Sequence, residues 1–320
     1  MTMIRVRKVL LLMASYVPLP AFAAGVPCDK VAVTQPAPFK SVMTIVLSSA
    51  DQQDAMTDFY LGRLLPLRGY LLTNMTTTES ASLSELSNYI SLISTAVLSS
   101  NESLLQAPTV VDSLEENHLY WRAYLESYQG GCSTASPITS TSGNTYISDH
   151  NPFLAFTSII NDTLRCQNIG DETRFASDVQ NNNVPNWMLY IPSLEHGGAT
   201  TTLVKSSMWL QGFLEPLLVN DIFNETLFIV TFDHSRRGGS SIYTLLLGSG
   251  IPQFGGRDAT SFNHYSILST VKKVFNLQSL DVIDTSASTL PLVSYSQYYC
   301  QKMNFFETSG PIHPKKQQLL

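Results

Sequence analysis

Leu227-Phe228-Ile229-Val230-Thr231-Phe232-Asp233-His234 is the stretch on which the fold turns. Its first six residues hold five apolar side chains, without the alternation of a half-exposed strand. Such a run reads as a strand buried on both faces, the kind found inside a parallel sheet. It stops abruptly at a carboxylate and an imidazole. In open α/β sheets ligands bind at the carboxyl ends of the strands. Asp233 and His234 therefore stand where chemistry is expected, and both residue types ligate metals. The plainer reading makes Asp233 the start of a turn through Ser235, Gly238 and Gly239.

Working outward, strand and helix patterns alternate. Residues 41–47 form an apolar, β-branched run, the first expected strand. Residues 54–65 carry Met56, Phe59, Tyr60 and Leu64 at helical spacing, ending near Pro66. A short strand is expected over 69–72 and a helix over 84–97. A helical pattern over 110–117 leads to a strand, or a continuation of that helix, over 119–125. Residues 130–150 read as loop, and 152–161 as helix. A strand over 187–191, a helix over 202–218, strands over 227–232 and 242–247, and a helix over 265–275 complete the pattern. The alternation predicts an α/β fold, a mainly parallel sheet with helices on both faces.

The first residues point to export. Arg5, Arg7 and Lys8 precede a short apolar core that Pro18 and Pro20 break, and Ala21-Phe22-Ala23 is a small-x-small cleavage site. Residues 1–23 read as a secretory signal peptide, too short for a membrane span. Asn-x-Ser/Thr triplets at Asn74, Asn101, Asn161 and Asn224 fit a secreted glycoprotein. The 4 cysteines suggest two disulfides in an oxidising compartment, with Cys132–Cys166 and Cys28–Cys300 the favoured pairing among three. Residues 24–310 read as a single domain and 311–320 as a disordered tail. The net charge of −6 argues against a nucleic-acid partner. No later apolar run is long enough to span a membrane.

Several strings, taken together and in order, resemble one family. They are Ser87-Asn88-Tyr89-Ile90, residues 121–127 (WRAYLES), His150-Asn151-Pro152-Phe153, and Pro185-Asn186-Trp187 through Tyr190-Ile191-Pro192. Trp209-Leu210 with Phe213-Leu214, Thr231-Phe232-Asp233, and Phe262-Asn263-His264-Tyr265-Ser266 complete the set. The chain resembles the secreted phosphoesterase family that contains fungal acid phosphatases and bacterial phospholipase C-type enzymes. The resemblance implies an alkaline-phosphatase-like sandwich, a divalent metal at the strand ends, and a phosphate ester as ligand.

Site residues follow from the same resemblance. Asp233, His264, His150 and Asn88 match the pattern and are the catalytic candidates. Asp233 and His234 are metal candidates, with Asp51 and His196 as replacements for ligands the pattern places nearby. Other positions depart from it. The family's first strand ends in Glu-Asn, where this chain has Ser48-Ser49. The nucleophile loop resembles His-Pro-Ser-x-x-Asn-Tyr, and Glu85 stands at the serine position, with Ser84 one residue off register. A Gly-His-Asp-Thr stretch is replaced by residues 195–201 (EHGGATT), and the usual acidic neighbour of Asp233 is His234. Glu85 is equally readable as a first-turn helix acid, and His264 as part of a helix cap with Asn263. Two functions are expected from this mixture. One is an acid-phosphatase-like hydrolase with weakened or lost activity. The other is a non-catalytic relative acting in binding or as a cell-wall glycoprotein.

Overall fold

The computed structural model describes residues 39–78, 85–99, 104–237, 241–252, 254–281, 283 and 286–293. The expected signal peptide, the 311–320 tail, the Cys28–Cys300 pair and Asn101 lie outside the described residues. The strands are β1 (Ser41–Leu47), β2 (Tyr70–Thr76), β3 (Trp121–Leu125), β4 (Ile138–Thr139), β5 (Thr145–Tyr146) and β6 (Ile169–Gly170). They continue with β7 (Trp187–Ile191), β8 (Thr226–Phe232), β9 (Ser241–Gly248), β10 (Gly256–Asp258) and β11 (Phe262–Asn263).

Nine strands form one sheet in the order β10-β2-β9-β8-β1-β7-β3-β6, with β11 pairing β2 beyond β10. The centre is parallel: β8 with β1, β1 with β7, β7 with β3, and β3 with β6. The segment from β8 through β9 to β2 is antiparallel. Every residue of β1 and of β8 is buried. Side chains alternate between sheet faces, so this pattern requires both faces to be covered. The fold is α/β, a mainly parallel sheet layered with helices. The β8 run is mostly apolar because it sits at least three strands in from either margin of the sheet.

Local chemistry explains where elements differ from the sequence reading. The continuous helix expected over 54–65 is three pieces: Gln52–Thr57, a π-helical turn Tyr60–Leu64, and Leu65–Arg68. Asp58 makes the break, because its Oδ1 accepts the N–H groups of Tyr60 and Leu61 and restarts the chain as a cap does. The helix expected over 84–97 ends at Ile90. The region 130–150 holds the small β4–β5 hairpin, and 152–161 is a 3-10 turn followed by a short helix. The helix Glu172–Gln180, capped by Asp171, was not legible in the pattern. Cys132 and Cys166 are joined, 34 residues apart in sequence. Trp121 and Trp187 are core residues. Among the described residues no helix is long and apolar enough to cross a membrane.

Candidate functional site

Parallel pairing of β8 with β1 runs one residue past the strand, where Asp233 N–H donates to Leu47 O across 2.9 Å. This fixes Asp233 at the carboxyl end of the sheet's centre. Its side chain is 1% exposed. Burial by itself raises a carboxyl pKa, yet Asp233 is held below the usual range because the His234 imidazole, the His150 imidazole and the Ser49 N–H outweigh desolvation. Ser49 N–H donates to Oδ1 at 2.8 Å and the Tyr89 hydroxyl to Oδ2 at 3.0 Å. Ser49 reaches that position with a left-handed φ of 35°, a strained conformation at the end of β1.

Three further side chains meet this carboxylate. Glu85 opens the helix Glu85–Ile90. His150 closes the 3-10 turn Ser148–His150, buried, with its ring 4.9 Å from the Tyr89 ring. His150 Nε2 stands 3.3 Å from Glu85 Oε2. His234 places Nδ1 2.9 Å from Asp233 Oδ1 and Nε2 3.9 Å from Glu85 Oε1. The first of these is an ion pair whose angle does not align a hydrogen bond, leaving Nδ1 without such a partner. The Asp233 contact, against the opposing effect of burial, raises the His234 pKa. Glu85 is held low, foremost by the His150 hydrogen bond.

One donor atom from each of Glu85, His150 and Asp233 lies within 4.8 Å of the others. Two carboxylates and an imidazole at this separation suit a divalent cation. The half-exposed Glu85 faces outward while Asp233 and His150 form the buried wall. The second-layer contacts of Tyr89 and Ser49 orient the Asp233 carboxylate, as metal sites require.

The structure distributes the sequence candidates unevenly. Asp233, His234 and His150 come together. His264 is the first residue of the helix His264–Val274, fully buried, and its Nε2–H donates to Phe232 O at 3.1 Å. It supports the end of β8 from behind. Asn263 caps that helix through Ser266. Asn88 is buried on the Glu85–Ile90 helix with its Oδ1 unpartnered. Asp51 lies apart from the cluster, with its Oδ1 accepting the Ser235 hydroxyl and Arg237 at its other oxygen. His196 pairs instead with Glu126, Nδ1 to Oε2, at 2.6 Å. Sequence reasoning passed over Glu126 and Tyr89 as functional groups. Glu126 follows β3 directly, as Asp233 follows β8, and that shared strand-end position was the available signal.

Comparisons with known proteins place the chain's sequence and fold. The chain is 30% identical over 261 residues to an acid phosphatase of Aspergillus niger, covering 78% of this chain and 62% of that protein. It is 30% identical over 270 residues to a probable acid phosphatase of Kluyveromyces lactis, covering 81% and 63%. The chain thus spans under two thirds of the length of these relatives. In fold it is similar to an alkaline phosphatase superfamily protein from Vibrio parahaemolyticus, with a TM-score of 0.53 at 14% identity, covering 82% of this chain and 73% of that one. The lipoteichoic acid synthase LtaP from Listeria monocytogenes gives a TM-score of 0.52 at 11% identity, covering 85% and 80%. Residues 92–278, more than half of the chain, match the Phosphoesterase family, and the chain belongs to that family.

Proposed function

We propose that this chain is an exported, acid-phosphatase-like protein that binds phosphate esters at a divalent-cation site built from Glu85, His150, Asp233 and His234, and hydrolyses them slowly. The observation that carries this reading is the convergence of Glu85, His150 and Asp233 within 4.8 Å. A cation bound there supplies charge to neutralise phosphate oxygens. The chain's own groups supply the rest. Tyr89 and Ser49 donate to the two oxygens of Asp233 and orient it toward the cation.

Slow turnover follows from Glu85. By the family resemblance it stands where a serine hydroxyl is expected, and a carboxylate there repels phosphate unless a cation covers it. Ser48-Ser49 at the β1 end likewise offers hydroxyls and an amide in place of a carboxylate and a carboxamide. Loss of a nucleophile commonly costs several powers of ten in rate. Glu85 is also the observation that favours the second reading, binding without turnover.

The test is phosphate release from an aryl phosphate by the purified protein at mildly acidic pH, together with metal analysis. Slow release that chelation and Asp233→Ala both abolish supports the hydrolase. Tight, chelation-sensitive phosphate binding without release supports the binding protein. Absence of both cation and phosphate binding overturns the proposal.

A further inference from the structure

The geometry points to Glu126 and His196 as a positioning pair for the Asp233 centre, built at the ends of β3 and β7. The pair rests on the phosphoesterase reading for its purpose and on hydrogen bonds alone for its placement. Glu126 is 5% exposed, yet every oxygen is engaged. Oε1 accepts the Tyr190 hydroxyl at 3.1 Å, and Oε2 accepts Ser193 N–H at 2.9 Å and His196 Nδ1–H at 2.6 Å. The His196 ring lies parallel to Trp209, 5.4 Å between centroids and 16° between planes. A buried carboxylate with this donor set fixes the backbone of the turn that contains its donors.

That turn, Ser193–Gly198, reaches the neighbouring strand. Gly197 O accepts Ser48 N–H at 2.9 Å. Gly198, at a φ of 113°, packs so closely that an added Cβ would meet Ser48 O at 2.9 Å. Its carbonyl accepts the Arg236 guanidinium at 2.8 Å. Ser48 is followed by Ser49, whose N–H holds Asp233, and Arg236 lies three residues past Asp233. The turn therefore grips the exits of both β1 and β8, the two strands that deliver Asp233 and one of its donors. Neither Glu126 nor His196 touches the cluster. They act through Ser48 and Arg236.

Amide hydrogen exchange of the folded protein tests this directly, with Mn2+ titration as the functional arm. His196 is a third exposed, so His196→Ala is tolerable where Glu126→Gln fails to fold. The expected result is exchange at Ser48 and Ser49 at least ~10-fold faster in His196→Ala, with the amides of residues 42–46 unchanged. The Mn2+ dissociation constant should rise by about 10-fold, the low end for support residues. His196→Asn, whose side-chain amide N–H can replace Nδ1–H toward Glu126, should restore both. Unchanged exchange at Ser48 and Ser49, uniform acceleration across the sheet, or no rescue by asparagine overturns the inference. If wild-type protein binds no Mn2+ but exchange responds as described, the cation site fails and the positioning pair stands.

Discussion

Tyr89 donates its phenolic hydrogen to Asp233 Oδ2 across 3.0 Å, inside the protein, with both side chains essentially without solvent contact. One hydroxyl thereby ties the Glu85–Ile90 helix to the end of β8. Tyr89→Phe removes the donor and leaves the acceptor buried. Losing a hydrogen bond to a buried charged group costs about 1.5–3 kcal/mol. Urea denaturation at neutral pH should show a loss of that size. That loss should shrink as pH falls, because the donor acts on the ionised carboxylate. Asp233 has a lowered pKa in the folded protein, so its contribution is present above the unfolded carboxyl value and is lost as pH falls through the folded one.

His264 carries the opposite lesson for an imidazole. Burial pushes its pKa down from 6.5 to about 4. The folded protein keeps it neutral while the unfolded chain protonates below about 6.5, so stability is full above that pH and declines as pH falls toward 4. The decline attributable to this residue is roughly 3 kcal/mol. Thermal melts between pH 7 and 4 should show a downward slope that His264→Phe flattens. His234 acts in the reverse sense: its raised pKa stabilises below the unfolded value, and that contribution is lost as pH rises through the folded one. In His234→Gln the rise in stability on acidification toward about 6.5 should therefore disappear, with the slope below that pH unchanged.

A cation that binds only the folded state raises its melting temperature by mass action. Mn2+ or Zn2+ at 100 times its dissociation constant should add about 2.7 kcal/mol. Asp233→Asn and His150→Ala should each remove most of that gain in differential scanning fluorimetry. Asp51→Asn should leave it intact, because Asp51 turns toward Ser235 and Arg237 rather than into the cluster. An equal loss in Asp51→Asn would contradict the placement of the site.

The Cys132–Cys166 bridge closes a loop with a sequence separation of 34. Chain-entropy arguments give about 3–4 kcal/mol for a loop of that length. A Cys132→Ser, Cys166→Ser double variant should lose stability on that scale in guanidinium titration, with the loss concentrated in the unfolding midpoint. His150 lies on the loop so closed, and its imidazole should become more mobile by NMR relaxation in the double variant.

The central sheet could be read directly from residues. Apolar runs at 41–47, 187–191 and 227–232 have no other stable use than strands covered on both faces, and they pair in the structure as β7-β1-β8. Asp233 at the end of the last run was legible for the same reason. The convergence of Glu85 was not. A glutamate opening a helix is favoured by the macrodipole wherever it occurs, and only the tertiary path of the Ser148–His150 turn brings His150 to it. Asp51 illustrates the converse. Sequence proximity to the β1 end suggested a ligand, but the left-handed Ser49 turns the chain away before residue 51. Helix lengths over 54–65 misled because an internal aspartate, Asp58, caps a second start that periodicity does not register.

The strand order leaves very short pieces at one side of the sheet and a three-residue strand beside β2 at the other: β6 has 2 residues and β10 has 3. Among the described residues, few unpaired peptide groups therefore face outward along either margin. A flat, long outer strand would offer a template on which a second molecule could stack. Here crowded solutions of the protein have little backbone to nucleate ordered aggregation, so its long, strongly apolar central strands are kept from the reaction that such sequences otherwise favour.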